Sequence, residues 1–393
     1  MASEKTPALY LKKMSFDDEQ KERFCSKSTI SWIFAAVLVA LLVIVSIQFL
    51  YPTVDNKLRM DKVHVFKGQP IEVNVITSGI SDGNKEAATN PWDFGFLIDP
   101  INLCRTRNPP NSQQYEQNPD VKLLMLVPSA VDHFTQRKTI RNTWGSVAEK
   151  HLGPMRLGFV LGTSENQTIN DLIYGESLEY GDIIQADFVD SYYHLTIKSV
   201  LMLKWVAMRC PHAQYFLKAD DDTFVNVGII ANILGTERFL SKEKFIGGYV
   251  HTGAQPSRIP EEKYYISEDD YPYEEYPPYA SGSAYVMTGP TAVDLFDASK
   301  VVQPFIPMED VFVTGLCAEH IDAPRIHEPR FRYDHPPNPP SWETFSTLAT
   351  AHSVTPDILE QVWDDMTRSV LSHLFNQEVA INSTVLLRKK RNL

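Results

Sequence analysis

Three adjacent carboxylates, Asp220-Asp221-Asp222, are the feature of this chain that most directly suggests chemistry. They follow the apolar run 215–217, which is typical of a buried strand. Neighbouring carboxylates repel one another unless water or a cation compensates their charge, and oxygen ligands suit Mg²⁺ or Mn²⁺. A solvated acidic turn is the alternative. The apolar residues on both sides of the triplet favour a cation site.

Two further pairs of charged residues occupy positions in predicted helices that suggest a function. Arg137 and Arg141 are four positions apart in a predicted helix, so they share one helix face. Two guanidinium groups on one face are able to bind a diphosphate, and surface ion pairs are the alternative. Glu309 and Asp310 stand at a predicted helix start, where acidic residues also interact favourably with the helix dipole.

A scaffold of alternating strands and helices is predicted to position these residues. Apolar strand-like runs occur at 122–127, 157–162, 182–186 and 215–217, with helical segments between them, and the strand 284–287 follows a long loop, 256–278. This alternation implies right-handed crossovers and an α/β fold with a mostly parallel sheet. Ligands of such sheets collect at the carboxyl ends of the strands, where the acidic triplet lies. The long loop is predicted to be a lid or a binding loop.

The region before this domain contains a candidate membrane anchor. Residues Ile30 to Tyr51 form an uncharged stretch of about 22 residues, long enough to span a bilayer as a helix. A cleaved signal peptide is the alternative, but its apolar core is usually shorter and nearer the start of the chain. We therefore predict the following parts: a cytosolic tail (1–29), a signal-anchor helix (30–51), a lumenal stem (52–118), a catalytic domain (119–375) and a C-terminal tail (376–393).

Composition restricts the class of partner. The formal net charge of −12 argues against nucleic acid, which requires a clustered excess of Lys and Arg. The basic run 388–391 is interpreted as a solvated tail. Asn166 and Asn382 each begin a glycosylation sequon beyond the predicted anchor. Together these features favour a single-pass type II membrane protein with a lumenal body.

The cysteines predict one disulfide. Cys25 precedes the anchor, and Cys104, Cys210 and Cys317 follow it, an odd number for an oxidising compartment. We predict a bond between Cys210 and Cys317, which would tie the region of the acidic triplet to the region of Asp310. Pairing of either residue with Cys104 is the alternative.

Five segments in order resemble the motifs of one enzyme family, the β1,3-galactosyltransferases and β1,3-N-acetylglucosaminyltransferases of glycosyltransferase family 31. The segments are Arg137 to Gly145, Tyr180 to Lys198, Lys218 to Asn226, Tyr276 to Val286 and Glu309 to Val311. The resemblance covers roughly residues 122–366.

The resemblance implies a function as well as a fold. It implies a GT-A-like nucleotide-sugar-binding domain in the Golgi membrane. It further implies inverting transfer of a hexose from a UDP-sugar to a hydroxyl of a glycan on a protein or lipid. Galactose is the hexose expected first, and Mn²⁺ or Mg²⁺ is the expected metal cofactor. The product would carry a β1,3 linkage. UDP-GlcNAc or UDP-GalNAc as the donor, or a catalytically silent lumenal glycan-binding relative, are the alternatives.

The resemblance also assigns roles to individual residues. Asp222 and His352 would bind the metal, and Asp310 would be the general base that takes the acceptor hydroxyl proton. The expected donor-binding residues are Arg137, Arg141, Lys218, Asp220 and Asp221, and the expected acceptor-binding residues are Tyr279, Gly282 and Glu309. The chain departs from the family pattern at His194, at Ser283-Ala284 and at Thr314, which lengthens the segment after Val311 by one residue.

Overall fold

The computed structural model describes residues 94–105, 121–151 and 154–369. The predicted anchor Ile30–Tyr51 and the sequon at Asn382 lie outside these residues. None of the helices within the described ranges is long and apolar enough to cross a lipid bilayer.

The described residues alternate between strands and helices, as the sequence predicts. The strands are β1 (Phe96–Ile98), β2 (Leu123–Pro128), β3 (Met155–Thr163), β4 (Ile183–Val189), β5 (Tyr215–Ala219), β6 (Phe224–Val225), β7 (Ile246–His251), β8 (Tyr279–Thr288), β9 (Arg325–His327), β10 (Phe331–Arg332) and β11 (Thr350–Ala351). The α-helices are α1 (Phe134–Asn142), α2 (Gln167–Tyr180), α3 (Leu195–Arg209), α4 (Val227–Leu234), α5 (Glu237–Leu240), α6 (Gly289–Ser299), α7 (Ala318–His320), α8 (Trp342–Phe345) and α9 (356–369). Two 3₁₀-helices (Trp144–His151 and Tyr192–His194) and a π-helix (Val311–Cys317) complete the described part of the chain.

The strands form a mixed sheet rather than the mostly parallel sheet expected. In the described ranges its order is β1-β4-β3-β2-β5-β8-β7-β9. Strands β4, β3, β2 and β5 are parallel neighbours, as predicted. Strand β8 runs antiparallel to both β5 and β7, because the long loop between β7 and β8 returns the chain along the same sheet without a crossover helix. The fold is α/β with a mixed central sheet.

Strand β2 shows how the sheet is held in the core. All six of its residues are buried, which explains why its sequence is a continuous apolar run. Leu124 and Leu126 pack into the hydrophobic cluster on one face of the sheet, and Met125 and Val127 pack into the cluster on the other. This alternation is the period of two that a strand imposes on its side chains.

The pairing of β5 with β8 brings distant motifs together. Ala219 at the end of β5 lies opposite Ala284, and the backbone N–H of Asp220 donates to the carbonyl of Ser283 (3.0 Å). The acidic triplet therefore lies next to Gly282, although about 60 residues separate them along the chain.

A small three-stranded sheet, ordered β10-β11-β6, brings in a third part of the chain. Ala351 on β11 pairs antiparallel with Phe224 on β6, and the N–H of Val354 donates to the carbonyl of Asp222 (2.8 Å). This pairing places His352 beside the acidic triplet.

The first described segment corrects the boundary between the stem and the catalytic domain. Strand β1 pairs antiparallel with β4, with Phe96 opposite Ala186. The indole N–H of Trp205 on α3 also donates to Asp99 (3.0 Å). Residues 94–105 thus belong to the folded body, which begins before the predicted position 119.

The disulfide joins Cys104 to Cys210, so the predicted Cys210–Cys317 pairing is wrong. The Cα atoms of Cys104 and Cys210 are 5.6 Å apart, within the usual range for a disulfide. Cys317 is a buried free thiol. The reason is that the segment before Cys104 packs against α3, whose last turn leads into Cys210. The alternative pairing that includes Cys104 is the one observed.

Loss of this disulfide is expected to destabilise the folded body. The two half-cystines are 106 residues apart, and opening a loop of that size costs about 2–5 kcal/mol. The double variant Cys104→Ser/Cys210→Ser should lose that much free energy of unfolding in a guanidinium titration. Peptide mapping without reductant should recover a Cys104–Cys210 linkage both in the wild type and in Cys317→Ser, the matched control. A linked peptide containing Cys317 would contradict the assignment.

Candidate active site

Asp220, Asp222 and His352 form a group of potential metal ligands. One ligand atom from each side chain lies within 4.8 Å of the other two. The Nε2 atom of His352 is 3.3 Å from a carboxylate oxygen of Asp222. The Nδ1 atom of His352 is 3.1 Å from the carbonyl oxygen of Tyr333, and only a protonated Nδ1 can donate to a carbonyl. In the neutral imidazole the lone pair is then on Nε2, which faces the carboxylates, as in many metal-binding histidines.

The donor set fits a divalent cation. Burial raises the pKa of Asp220 to about 6, although the ammonium group of Lys218 acts in the opposite direction. A bound cation would offset this burial and keep the carboxylate ionised. Two carboxylates and one imidazole are compatible with Mn²⁺ or Mg²⁺, and the three residues that the sequence assigned to the metal and the donor are brought together.

Lys218 lies beneath this group and is fully buried. Its ammonium group is 2.6 Å from Asp220 and 3.7 Å from Glu309, and it also donates to the carbonyl of Gly282. The ammonium group thus interacts with the carboxylates and the carbonyl of the protein itself. The structure therefore corrects the expected donor-binding role: Lys218 positions Asp220 and compensates the buried carboxylates.

Asp310 is fixed by two backbone donors. One carboxylate oxygen accepts from the N–H of Gly282 (3.2 Å), and the other accepts from the N–H of Val311 (2.9 Å). Burial raises the pKa of Asp310. A raised pKa brings a carboxylate closer to the proton affinity that a general base needs near neutral pH. Asp310 is half-buried, and its place agrees with the role that the resemblance assigned to it.

Glu309 points elsewhere, which corrects its assignment as an acceptor-binding residue. Its side chain is buried, and one carboxylate oxygen accepts from the hydroxyl of Tyr285 (2.7 Å). Burial raises the pKa of Glu309. Its other carboxylate oxygen lies 3.7 Å from the ammonium of Lys218. Its contacts make it a buried partner of Lys218.

The segment after Asp310 forms the π-helix Val311–Cys317. A π-helix accommodates one extra residue in a helical segment and often occurs at functional sites. The hydroxyl of Thr314 accepts from the N–H of Ala280 (2.9 Å) and donates to the carbonyl of Asp310 (2.6 Å). Thr314 thus ties the turn that carries Asp310 to strand β8.

Arg137 and Arg141 do not face a diphosphate, contrary to the prediction from their spacing. Arg137 is fully buried and pairs with Glu176 (2.8 Å). Arg141 pairs with both Glu176 and Asp182, each at 2.7 Å. Their charges are neutralised within the protein, and they tie α1 to α2 and to the start of β4. The alternative interpretation, that these arginines form ion pairs, is correct, but the pairs are buried and not on the surface.

Asp221 joins a polar cluster that sequence reasoning missed. One of its carboxylate oxygens accepts from the hydroxyl of Ser129 (2.7 Å) and is 2.8 Å from Nδ1 of His133. Ser129 follows β2, and its carbonyl accepts from the ammonium of Lys198 (2.9 Å). The signal that would have found these residues is their position after a predicted strand, since the carboxyl ends of β2 and β5 lie at the same edge of the sheet.

The long loop before β8 is ordered by one arginine. The guanidinium of Arg258 donates to the carbonyls of Ile266, Ser267, Tyr271 and Tyr273 at 2.7–3.0 Å. The loop ends at Tyr279, which is half-buried near Asp310. The expected acceptor-binding residues Tyr279 and Gly282 are therefore next to the candidate base.

Comparison with known proteins identifies a family. The galactosyltransferase family profile matches residues 135–329. Human lactosylceramide 1,3-N-acetyl-beta-D-glucosaminyltransferase is 34% identical over 276 residues, which cover 67% of this chain and 72% of that protein. Human beta-1,3-galactosyltransferase 5 is 34% identical over 255 residues, which cover 63% of this chain and 79% of that protein. The alignment with the solved structure of the galactosyltransferase LGTC covers 60% of this chain and 87% of the LGTC chain, with 11% sequence identity. Its TM-score of 0.32 is too low to support any inference.

The match covers most of the length of both relatives. Asp220 and Asp222 follow β5, and Asp310 accepts a hydrogen bond from Gly282 on β8, the strand that pairs with β5. The chain is thus a hexosyltransferase and belongs to the galactosyltransferase family that includes β1,3-galactosyltransferases and β1,3-N-acetylglucosaminyltransferases, glycosyltransferase family 31.

Proposed function

We propose that this chain is an inverting, metal-dependent transferase that moves a hexose from a UDP-sugar to a glycan hydroxyl and forms a β1,3 linkage. The observation that carries the proposal is the position of Gly282. Its carbonyl accepts from Lys218, which holds Asp220, and its N–H donates to Asp310. One residue thereby links the metal-ligand group to the candidate base.

On the donor side, Asp220, Asp222 and His352 would hold the cation. A bound Mn²⁺ or Mg²⁺ would stabilise the negative charge of the UDP leaving group. Lys218 keeps Asp220 in place from below, as its 2.6 Å ion pair indicates. The cluster of Asp221, Ser129 and His133 lies at the same sheet edge, where we place the remaining donor contacts.

On the acceptor side, Asp310 would take the proton of the attacking hydroxyl. The acceptor oxygen forms a bond to the anomeric carbon while the bond to UDP breaks on the opposite face, which inverts the configuration. The two N–H donors hold the carboxylate in one orientation, and general-base catalysis requires such a fixed position within hydrogen-bond reach of the proton.

Two donor sugars are candidates. UDP-galactose is the first, and UDP-GlcNAc is the second because the human N-acetylglucosaminyltransferase is as similar to this chain as the human galactosyltransferase is. An N-acetyl group occupies space that a hydroxyl does not, so a site built for one donor should reject the other.

A donor panel tests this proposal. Purified protein with Mn²⁺ is given UDP-galactose, UDP-GlcNAc or UDP-GalNAc, with and without a glycan acceptor array. We expect one donor to exceed the other two in kcat/KM by at least about tenfold. If no donor is hydrolysed or transferred and calorimetry detects no binding of UDP with Mn²⁺, the protein is a silent relative and the proposal fails.

We further propose that the protein is anchored in the Golgi membrane with this domain in the lumen. The Cys104–Cys210 disulfide supports an oxidising compartment, and the sequon residue Asn166 is exposed at the start of α2. Residues Ile30–Tyr51 would provide the anchor. In sealed microsomes, protease should remove the N-terminal tail and spare the body, and digestion of the body would refute this orientation.

A further inference from the structure

Negative charge is concentrated in one part of the long loop before β8, residues 261–275, which we call the acidic loop. It contains seven acidic residues and one lysine, a formal net charge of −6 and half of the −12 of the whole chain. All seven acidic residues are exposed. They are Glu261, Glu262, Glu268, Asp269, Asp270, Glu274 and Glu275.

The nearby cations leave most of this charge uncompensated. The guanidinium of Arg258 is directed at four backbone carbonyls of the long loop. The ammonium of Lys263 lies over the rings of Tyr192 (4.7 Å) and Tyr264 (5.2 Å). Five of the acidic side chains make no hydrogen bond or ion pair with any residue that the structure describes: Glu261, Glu268, Asp269, Glu274 and Glu275. Their charge therefore acts on the solvent and on any molecule that approaches.

A row of contacting tyrosines holds the acidic loop beside the candidate base. The ring of Tyr271 lies 5.3 Å from that of Tyr273 and 4.9 Å from that of Tyr276. The ring of Tyr276 lies 6.3 Å from that of Tyr279. Burial and the charge of Asp310 raise the pKa of Tyr279, which places the last ring of the row near that carboxylate. The acidic residues that flank the row are therefore fixed on the acceptor side of the site.

One polar group in this row lacks a partner. Tyr276 is 8% exposed, and within the described ranges its buried hydroxyl has no hydrogen-bond partner. Burial raises the pKa of Tyr276 to about 12, and the charge of Asp310 adds to the increase. Buried polar groups are nearly always hydrogen-bonded, so this hydroxyl indicates a polar group supplied from outside the chain. The end of the acidic loop is thus prepared for a polar ligand.

Two further acidic residues border an open cleft next to Tyr279. The cleft has a volume of about 390 Å³, and Pro278, Glu319 and Asp322 are among its lining residues. Both acidic residues are exposed, whereas the guanidinium of Arg325 is directed at the carbonyl of Pro278 (3.0 Å). A ligand that extends from the candidate base into this cleft would therefore meet carboxylates there as well.

We propose that the acidic loop selects acceptors by charge: it favours neutral and cationic acceptors and disfavours those with an anionic group beside the sugar that receives the hexose. Its uncompensated carboxylates create a negative potential around the approach to Asp310, and this potential lowers the rate at which an anion associates. Specificity often depends on such repulsion of the wrong partner. This inference rests on the proposed function, because it defines the substrate class of the same site.

Three acceptors of nearly equal size separate charge from shape. They are the 2-carboxyethyl (anionic), 2-carbamoylethyl (neutral) and 2-aminoethyl (cationic) β-glycosides of galactose, together with the same three glycosides of N-acetylglucosamine. At an ionic strength of about 10 mM, where charges act over about 30 Å, we expect kcat/KM to be about 3- to 10-fold higher for the neutral than for the anionic glycoside. The cationic glycoside should equal or exceed the neutral one. Because about 1 M salt shortens this range to about 3 Å, the ratio should then fall towards one.

Charge reversal at the end of the acidic loop assigns the effect to this loop. Glu274→Lys/Glu275→Lys should bring the ratio of neutral to anionic kcat/KM close to one at low ionic strength. The matched control, Glu237→Lys/Glu243→Lys, makes the same change in net charge and should keep the wild-type ratio. Both control positions are exposed and precede β7, whose other end leads into the long loop.

Three results would overturn the inference. They are a wild-type ratio of one at low ionic strength, a ratio that salt does not change, and equal ratios in the two charge-reversal variants. If the wild type transfers no sugar to any glycoside, the proposed function fails first. Saturation-transfer NMR with the same glycosides, UDP and Mg²⁺ then still decides the role of the acidic loop. A salt-dependent preference for the cationic over the anionic glycoside supports that role, and equal binding or no binding refutes it.

Discussion

Replacement of Asp310 by Asn is expected to lower kcat by at least about 10²-fold, the usual scale for a lost general base. The substitution keeps the size of the side chain, and an amide oxygen can still accept from the N–H of Gly282 or Val311. It removes the proton affinity that the attacking hydroxyl requires. Because Asp310 lies on the acceptor side, the affinities for UDP-sugar and Mn²⁺ should not change. Steady-state kinetics and calorimetry with UDP and Mn²⁺ measure the two effects separately.

Glu309→Gln is the matched control for this prediction. Glu309 is buried against Tyr285 and Lys218, so its substitution weakens the compensation of a buried ammonium. We expect Glu309→Gln to lower the thermal midpoint and to lose less turnover than Asp310→Asn does. A residue on the acceptor-facing surface would instead change acceptor KM. If Asp310→Asn turns over like the wild type and a folded Glu309→Gln is inactive, the base has been assigned to the wrong residue.

Substitution of Asp222 by Ala is expected to reduce transfer to below about 1% of the wild-type rate, since the cation that stabilises the leaving group loses a ligand. The side chain of Asp222 is 45% exposed, and its removal relieves repulsion within the acidic triplet. The thermal midpoint should therefore be nearly unchanged. Transfer rates, and unfolding followed by circular dichroism, measure the two parts of this prediction.

Removal of the metal provides an independent measurement of the same site. EDTA should abolish wild-type transfer, and excess Mn²⁺ should restore it. Asp365→Ala, which removes a carboxylate outside the ligand group, should respond to EDTA and Mn²⁺ as the wild type does. Full activity of the wild type in EDTA, or of Asp222→Ala with Mn²⁺, would exclude a metal-dependent reaction at this site.

The residues that the structure brings together at the candidate site have signals in the local sequence. Asp220 and Asp222 follow the apolar run 215–217 in β5. A ligand site at the carboxyl end of such a strand is expected without knowledge of distant residues. Asp310 was selected by a short motif. His352 was expected from its position in the family pattern, and the pairing of β11 with β6 brings it to Asp222.

The errors share one physical cause, which is that spacing does not reveal a partner that is distant in sequence. The face shared by Arg137 and Arg141 was predicted correctly, but their role was decided by Glu176, 39 and 35 residues away. Glu309 was assigned to the acceptor because nothing local indicates that Lys218 lies beneath it. Cys210 pairs with Cys104 because the segment before Cys104 packs against α3, a contact that no periodicity in the sequence suggests.

The three-stranded sheet brings in a candidate metal ligand that lies outside the family match. The family signature ends at residue 329, and a fragment cut there would contain the central eight-stranded sheet, the acidic triplet and Asp310. It would lack β10 and β11, and with them His352 and the partner strand of β6. Such a fragment would carry the whole segment by which the family is recognised and would still lack His352, the third candidate metal ligand. The candidate site is therefore built from a longer part of the chain than that segment.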